Sequence, residues 1–321
     1  MRRVLILIAF LAIPPAIAQT PSPHAIDIPP WFSETFLDLR EDAREAAKTG
    51  RRLLVYFGQD GCPYCKELML VNFTQPRIVD KTRKHFGAIA LNLWGDREVT
   101  WIDGRAMSEK ALARALKVQF TPTILFLDEK GKIVLRLNGY YPPHRFEAAL
   151  DYAAGRMEQN TPFRDYLVKN VKDPASETLH DEPFFVAPPR DLRRKAGAKP
   201  LAVLFETRHC AGCDELHQEG FKRKQVLAQL AKFDVVRIDL QDSNPAWVGN
   251  LKITYVPSIV FFVAGGREVF RIEAYLRPFH LAGSLEYVSS GAYAREPSFQ
   301  RFLQARAERL RGAGEPVDLW K

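Results

Sequence analysis

Apolar residues fall in short runs that recur in two copies along the chain. Leu53-Leu-Val-Tyr-Phe57 has no polar break, and Leu201-Ala-Val-Leu-Phe205 repeats it. A continuous run this short suits a strand buried on both faces. Residues 88–93 and 235–240 supply a second strand in each copy. Thr123-Ile-Leu-Phe-Leu127 and Ser258-Ile-Val-Phe-Phe-Val263 supply a third, each entered through an X-Pro step. Lys130-Gly131 and Gly265-Gly266 then turn into a last strand. Helical spacing fills the gaps between the strands. Residues 38–49 predict a lead-in helix, and Leu68, Met69 and Phe73 mark the next. Ser108 is placed to cap a third over residues 109–116. Alternating strands and helices predict an α/β fold, with a central mixed sheet flanked by helices in each copy.

The copies align at two offsets. The cysteine pairs lie 148 residues apart (210 − 62), whereas Thr121-Pro122 matches Val256-Pro257 at 135 (256 − 121). Leu150-Asp-Tyr152 matches Leu285-Glu-Tyr287 at that same 135, and Phe163 to Leu167 matches Phe299 to Leu303 one residue further on. The first copy therefore carries about 13 extra residues between its cysteines and its proline. They are expected within residues 92–107, with Asp103-Gly104 as a hairpin turn. A long unit occurring twice is a duplicated domain rather than a solenoid. The expected domains are residues 26–168 and 200–312. Residues 169–199 form a linker and lead-in, where Pro174, Pro183, Pro188 and Pro189 break regular structure.

Arg2 and Arg3 precede an apolar stretch, Val4 to Ile13, and then Ala16-Ile17-Ala18. That is the pattern of a signal peptide over residues 1–18, with Gln19 as the first residue after cleavage. The apolar stretch is too short to span a bilayer, and no cysteine follows the cleavage site to take a lipid. The expected product is soluble and periplasmic or secreted, in an oxidising compartment. At 321 residues, 46% hydrophobic and 26% charged, the chain has material for two globular cores. Its net charge of +8 is spread along the sequence with no groove-reading motif, so nucleic acid is not an expected partner.

All four cysteines fall into two Cys-x-x-Cys pairs, Cys62/Cys65 and Cys210/Cys213. A disulfide closing so small a loop constrains the unfolded chain little, so a purely stabilising role is weak on physical grounds. Each pair directly follows a buried strand and opens a helix. There the unpaired backbone N–H groups and the positive helix end favour an anion, hence the attacking thiolate on the first cysteine. The second cysteine lies one turn on, placed to resolve a mixed disulfide. The X-Pro step suits a cis bond, which would bring a backbone edge beside the sulfurs.

This combination of strand, Cys-x-x-Cys, helix and a Thr-Pro or Val-Pro step before an Ile/Val/Phe strand resembles the thioredoxin superfamily. Thr121-Pro-Thr-Ile-Leu-Phe, Gly131, Gly139-Tyr140 and residues 143–150 resemble the periplasmic SoxW-like thioredoxins in particular. The resemblance implies two tandem thioredoxin-like domains and thiol–disulfide exchange without a cofactor. By position Cys62 and Cys210 would be the nucleophiles, with Thr121-Pro122 and Val256-Pro257 shaping the substrate grooves. It also implies exported protein disulfides or thiols as substrates, and a membrane thiol-electron transporter as electron donor. Two departures bear on proton handling. Tyr56 and Leu204 stand where the family keeps a buried Asp, and Gly61 and His209 stand where it keeps a Trp.

Lys66 is expected to favour a thiolate at Cys62, and Asp214 to oppose one at Cys210. An alternative reading of the second copy is a redox-inactive domain, or a zinc or copper site built from His209, Cys210, Cys213 and His217, inside a chaperone or binding module. Trp94 and Trp101 are expected to pack the extra hairpin rather than line a groove. Arg301, Arg306, Arg309 and Arg311 are expected on the solvated face of the last helix.

Overall fold

A computed structural model describes residues 25–172, 175–242 and 244–319. The expected signal peptide and its cleavage site lie outside them.

In the first half, Asp38 caps α1 (Leu39–Lys48) by accepting the Arg40 and Glu41 amides. Then follow β1 (Arg52–Gly58), α2 (Pro63–Glu67), α3 (Pro76–His85), β2 (Phe86–Asn92), β3 (Glu98–Thr100), β4 (Ala106–Ser108), α4 (Glu109–Ala115), β5 (Thr123–Leu127), β6 (Ile133–Asn138), α5 (Pro143–Ala154) and α6 (Phe163–Asn170). The second half repeats the plan as β7 (Leu201–Glu206), α7 (Ala211–Glu215), α8 (Lys224–Leu230), β8 (Asp234–Asp239), α9 (Trp247–Asn250), β9 (Ser258–Val263), β10 (Arg267–Ile272), α10 (Pro278–Ser289), α11 (Ala292–Arg295) and α12 (Phe299–Gly312).

The two four-stranded sheets have one topology. Their orders are β2-β1-β5-β6 and β8-β7-β9-β10, parallel at the first pairing and antiparallel at the other two. Val55 stands between Ile89 and Leu125, as Val203 stands between Val236 and Val260. Every residue of β1 and of β7 is buried, as their unbroken apolar runs require. One face of the first sheet packs around Tyr56, Phe126 and Phe146, the other around Leu39, Phe57 and Leu125.

The extra residues of the first copy form the β3–β4 hairpin. Its loop closes through Gly104 N–H donating to the Trp101 carbonyl, and Gly104 sits at φ +88°, a left-handed conformation that favours glycine. Ser108 caps α4 by accepting the Ala111 amide.

Between the halves, residues 171–200 make no helix and only two isolated bridges among the described residues. Phe185 bridges Val235 on the edge strand β8, and Arg194 bridges Ala264. A connector laid along an edge strand covers groups that would otherwise invite foreign pairing.

The halves pack on each other through counterpart residues. Asn138 and Glu273 are counterparts at the 135-residue offset, and Asn138 Nδ2 donates to Glu273 Oε2 at 2.7 Å. Phe120 and Tyr255, also counterparts, are exchanged between the cores. Phe120 packs against Phe270 and Phe299 of the second half. Tyr255 packs against Tyr141 and accepts a hydrogen bond from Arg145 in the first. Contact between counterpart residues is the mark of an isologous interface, here formed within one chain.

Candidate active site: two cysteine pairs, each walled by the other domain

Both pairs sit where the strand-to-helix turn delivers them. Cys62 ends the loop after β1 and caps α2, its sulfur accepting the Cys65 amide at 3.0 Å. Cys210 caps α7 in the same way, accepting the Cys213 amide at 3.1 Å. The residue before each first cysteine is left-handed, at φ +72° for Gly61 and +57° for His209. Glycine adopts this freely; the histidine carries strain of about 1–2 kcal/mol. Each pair is joined as a disulfide.

The two X-Pro bonds, Thr121-Pro122 and Val256-Pro257, are both cis. This brings the Thr121 carbonyl oxygen to 3.4 Å from the Cys62 sulfur. In the disulfide that sulfur has no proton; the reduced thiol could donate one there.

The environments of the pairs differ. Cys62 lies at the floor of a cleft of about 350 Å³. The first domain contributes Tyr64, Trp94 and Thr121; the second contributes Leu276, Phe279 and Leu303. The Cys210 cavity is only about 40 Å³, lined by Arg145 and by Leu167 and Val168 of α6. No residue lines both. A cavity near 300 Å³ is the smallest that ordinarily takes a ligand, so only the Cys62 side has room for a substrate group as it stands.

Trp94 packs against the core under β1 as expected, but it does not stay out of the groove. It lines the Cys62 cleft, its Nε1–H donates to Gln59 Oε1 at 2.6 Å, and the Arg301 guanidinium lies 5.4 Å from its ring. Trp101 does pack with the hairpin, against the core under β1. Arg306 also departs from its expected place. It is buried, lying 4.7 Å over Phe279 with its Nε–H donating to Glu286 at 2.8 Å, because α12 is covered on the side that carries it.

Inside the Cys-Pro-Tyr-Cys motif, Tyr64 reaches the second domain. Its hydroxyl accepts the Arg277 amide at 3.2 Å and lies 3.5 Å from His280 Nδ1. Burial, then the Arg277 and Arg306 charges, push the His280 pKa down to about 4, so this imidazole is neutral at physiological pH. Lys66 is exposed, where solvent weakens its field at Cys62.

The second pair is backed by a buried ionic network. His217, a metal ligand only in the alternative reading, has its Nε2 2.9 Å from Glu206 and its Nδ1 3.1 Å from Glu182. Both partners are carboxylates, so both ring nitrogens serve as donors and the ring is an imidazolium. Burial alone lowers its pKa, but the two carboxylates more than offset this and the net direction is upward. Lys222 adds a second cation to Glu182 at 3.0 Å. His180 stacks on His217 at 4.9 Å and pairs with Asp214 at 2.7 Å. Burial raises the Asp214 pKa, but the Ser176 amide and His180 outweigh it and hold the carboxyl below its usual value. Asp214, expected to oppose a thiolate at Cys210, is thus already engaged. His217 does not join the cysteines, His209 is exposed, and no group of three metal-ligating side chains converges among the described residues.

Glu206, Glu182, His180 and His280 were not expected from sequence. Only Glu206 left a signal, as a carboxylate ending an otherwise apolar run; its first-copy counterpart is Gly58.

The sequence profile of the thioredoxin-like domain matches residues 39–154 and again residues 193–289. No curated protein matches the chain. Among solved structures, a thioredoxin-fold protein from Helicobacter pylori is 29% identical, with 42% of this chain and 90% of that one covered and a TM-score of 0.31. A thioredoxin from Thermus thermophilus is 27% identical over 35% and 81%, with a TM-score of 0.29. The C-terminal domain of DsbD from Neisseria meningitidis is 19% identical over 40% and 98%, with a TM-score of 0.28.

Proposed function

Both halves of this chain belong to the thioredoxin-like family, and from that premise we propose an exported thiol–disulfide oxidoreductase. In this reading it reduces protein disulfides with Cys62 and Cys65 and carries Cys210 and Cys213 as a second redox pair. The observation that carries it is the placing of the Cys62 sulfur, at a helix start, beside the Thr121 carbonyl and lining a cleft of about 350 Å³.

The chemistry follows from that placing. A Cys62 thiolate attacks one sulfur of a substrate disulfide, and the other sulfur leaves as a thiolate. The mixed disulfide is then attacked by Cys65, which lies fully buried one turn on. The Cys62–Cys65 disulfide forms, and the second substrate thiol departs with the electron pair. Two electrons have passed from protein to substrate. A further turnover needs a dithiol donor, and a membrane thiol-electron transporter is the class an exported reductant would draw on.

The test is a redox titration of each pair with thiol trapping, on protein purified without chelator. Each pair is expected to lose both thiols reversibly. A midpoint near about −270 mV fits a reductant; one near about −120 mV would make the protein an oxidant instead. Stoichiometric zinc or copper that shields Cys210 and Cys213 from oxidation would remove the second pair from this reading.

Export has its own test. The Arg2-Arg3 start and the Ala16-Ile17-Ala18 site support cleavage, so N-terminal sequencing of the mature protein is expected to begin at Gln19. Recovery of the uncut chain from the cytosol would sink it. Among the described residues no helix is long and apolar enough to cross a membrane.

A further inference from the structure

We propose that the cleft over Cys62 is a two-domain binding site for an extended peptide that carries a bulky apolar side chain beside its disulfide-bonded cysteine, with the second domain setting that preference. The proposal rests on Cys62 and Cys65 being the exchanging pair.

The first domain supplies the reacting sulfur and the backbone edge at Thr121. The facing wall is Leu276, Phe279 and Leu303, with the exposed Gln304 at the rim. A wall this apolar next to the reacting atom rewards an apolar neighbour of the substrate cysteine. The charged side chains in the lining are Asp60 and Arg311, one of each sign. A ligand with several carboxylates, such as glutathione disulfide, would find no matching cluster of cations there. The volume, about 350 Å³, takes a side chain with its flanking backbone and excludes a folded surface.

The wall is also fixed in place. Gln59 Nε2 donates to Gln300 Oε1 at 2.9 Å across the domain boundary, and Gln300 Nε2 donates to the Gln119 carbonyl at 2.9 Å. With the stacking of Arg301 on Trp94, these contacts hold the second domain against the first. A preformed wall discriminates without paying to order itself. At the counterpart place over Cys210, Arg145 replaces His280 and the cavity is only about 40 Å³, too small for a bulky side chain, so this preference belongs to one site only.

The experiment uses the full-length reduced protein and three disulfides. Two are synthetic peptide dimers that differ only in Phe or Ser beside the cysteine; the third is oxidised glutathione. The Phe peptide is expected to be reduced with a kcat/KM about tenfold or more above the other two, the scale of one side chain in an apolar pocket. Gln304→Trp, which blocks the rim from an exposed position, and Phe279→Ala are each expected to bring that ratio toward one, chiefly through KM. Phe279→Leu is expected to restore most of it, which a general loss of folding would not. A ratio near one in the unaltered protein, a ratio untouched by both variants, or a preference for glutathione disulfide would overturn the proposal. No exchange with any of the three would sink the oxidoreductase reading itself, and this proposal with it.

Discussion

Cys62→Ser is expected to reduce insulin disulfides no faster than the uncatalysed background. The hydroxyl cannot exchange with a disulfide, and Cys65 is too deeply buried to take over the attack. Cys65→Ser is expected to behave differently. Its Cys62 can still attack but nothing resolves the product, so a mixed disulfide with substrate accumulates and is visible by mass. Cys210→Ser is expected to leave the insulin-reducing rate close to that of the unaltered protein, because its cavity is too small for a bulky substrate. Full activity in Cys62→Ser would show that the wrong pair has been placed at the centre. Retention of most activity there with its loss in Cys210→Ser would transfer the role to the second domain.

The other large effect concerns stability. His217→Leu is expected to destabilise the protein by about 3–5 kcal/mol, because it leaves Glu206 without a cation inside the second domain. Glu182 suffers less, since Lys222 still pairs with it. The double change Glu206→Leu with His217→Leu is expected to recover much of the loss, as apolar replacement of both partners removes the orphaned charge. Urea unfolding measures both. A single-variant loss under about 1 kcal/mol would mean that the buried triad is not ionised as its geometry implies. The pH dependence has a definite sign. The folded pKa of His217 is raised above its usual 6.5, so its contribution is complete below about pH 6.5. It is lost as pH rises through the folded value. His217→Leu is therefore expected to flatten the decline of stability on the alkaline side.

Much of this architecture is legible in the chain because each signal is local. A short unbroken apolar run flanked by turn residues suits a strand buried on both faces, and β1 and β7 are that. Ser108 announces α4, and the change of offset between the copies announces the hairpin. What sequence could not give is contact between the copies. Phe120 and Tyr255 each belong to the other half's core, and nothing in the residues around them marks it. Arg306 reads as a solvated position because helical spacing does not reveal which side of α12 will be covered. The place of His217 is hidden for a different reason. Four residues after Cys213 it looks like a neighbour on one helix face. After α7, however, the chain passes into a π-turn at Leu216–Gly220, with Phe221 N–H bonding back to Leu216. That wider turn carries the ring toward the end of β7, where Glu206 meets it.

The exchange of Phe120 and Tyr255 has a consequence for how the protein responds to dilution. An isologous pair made of separate chains falls apart as concentration drops, and any site shared between its halves falls apart with it. Here residues 171–200 tie the halves together, so each sees the other at an effective concentration fixed by the tether and not by the surroundings. The cleft over Cys62 therefore stays assembled however scarce the protein becomes.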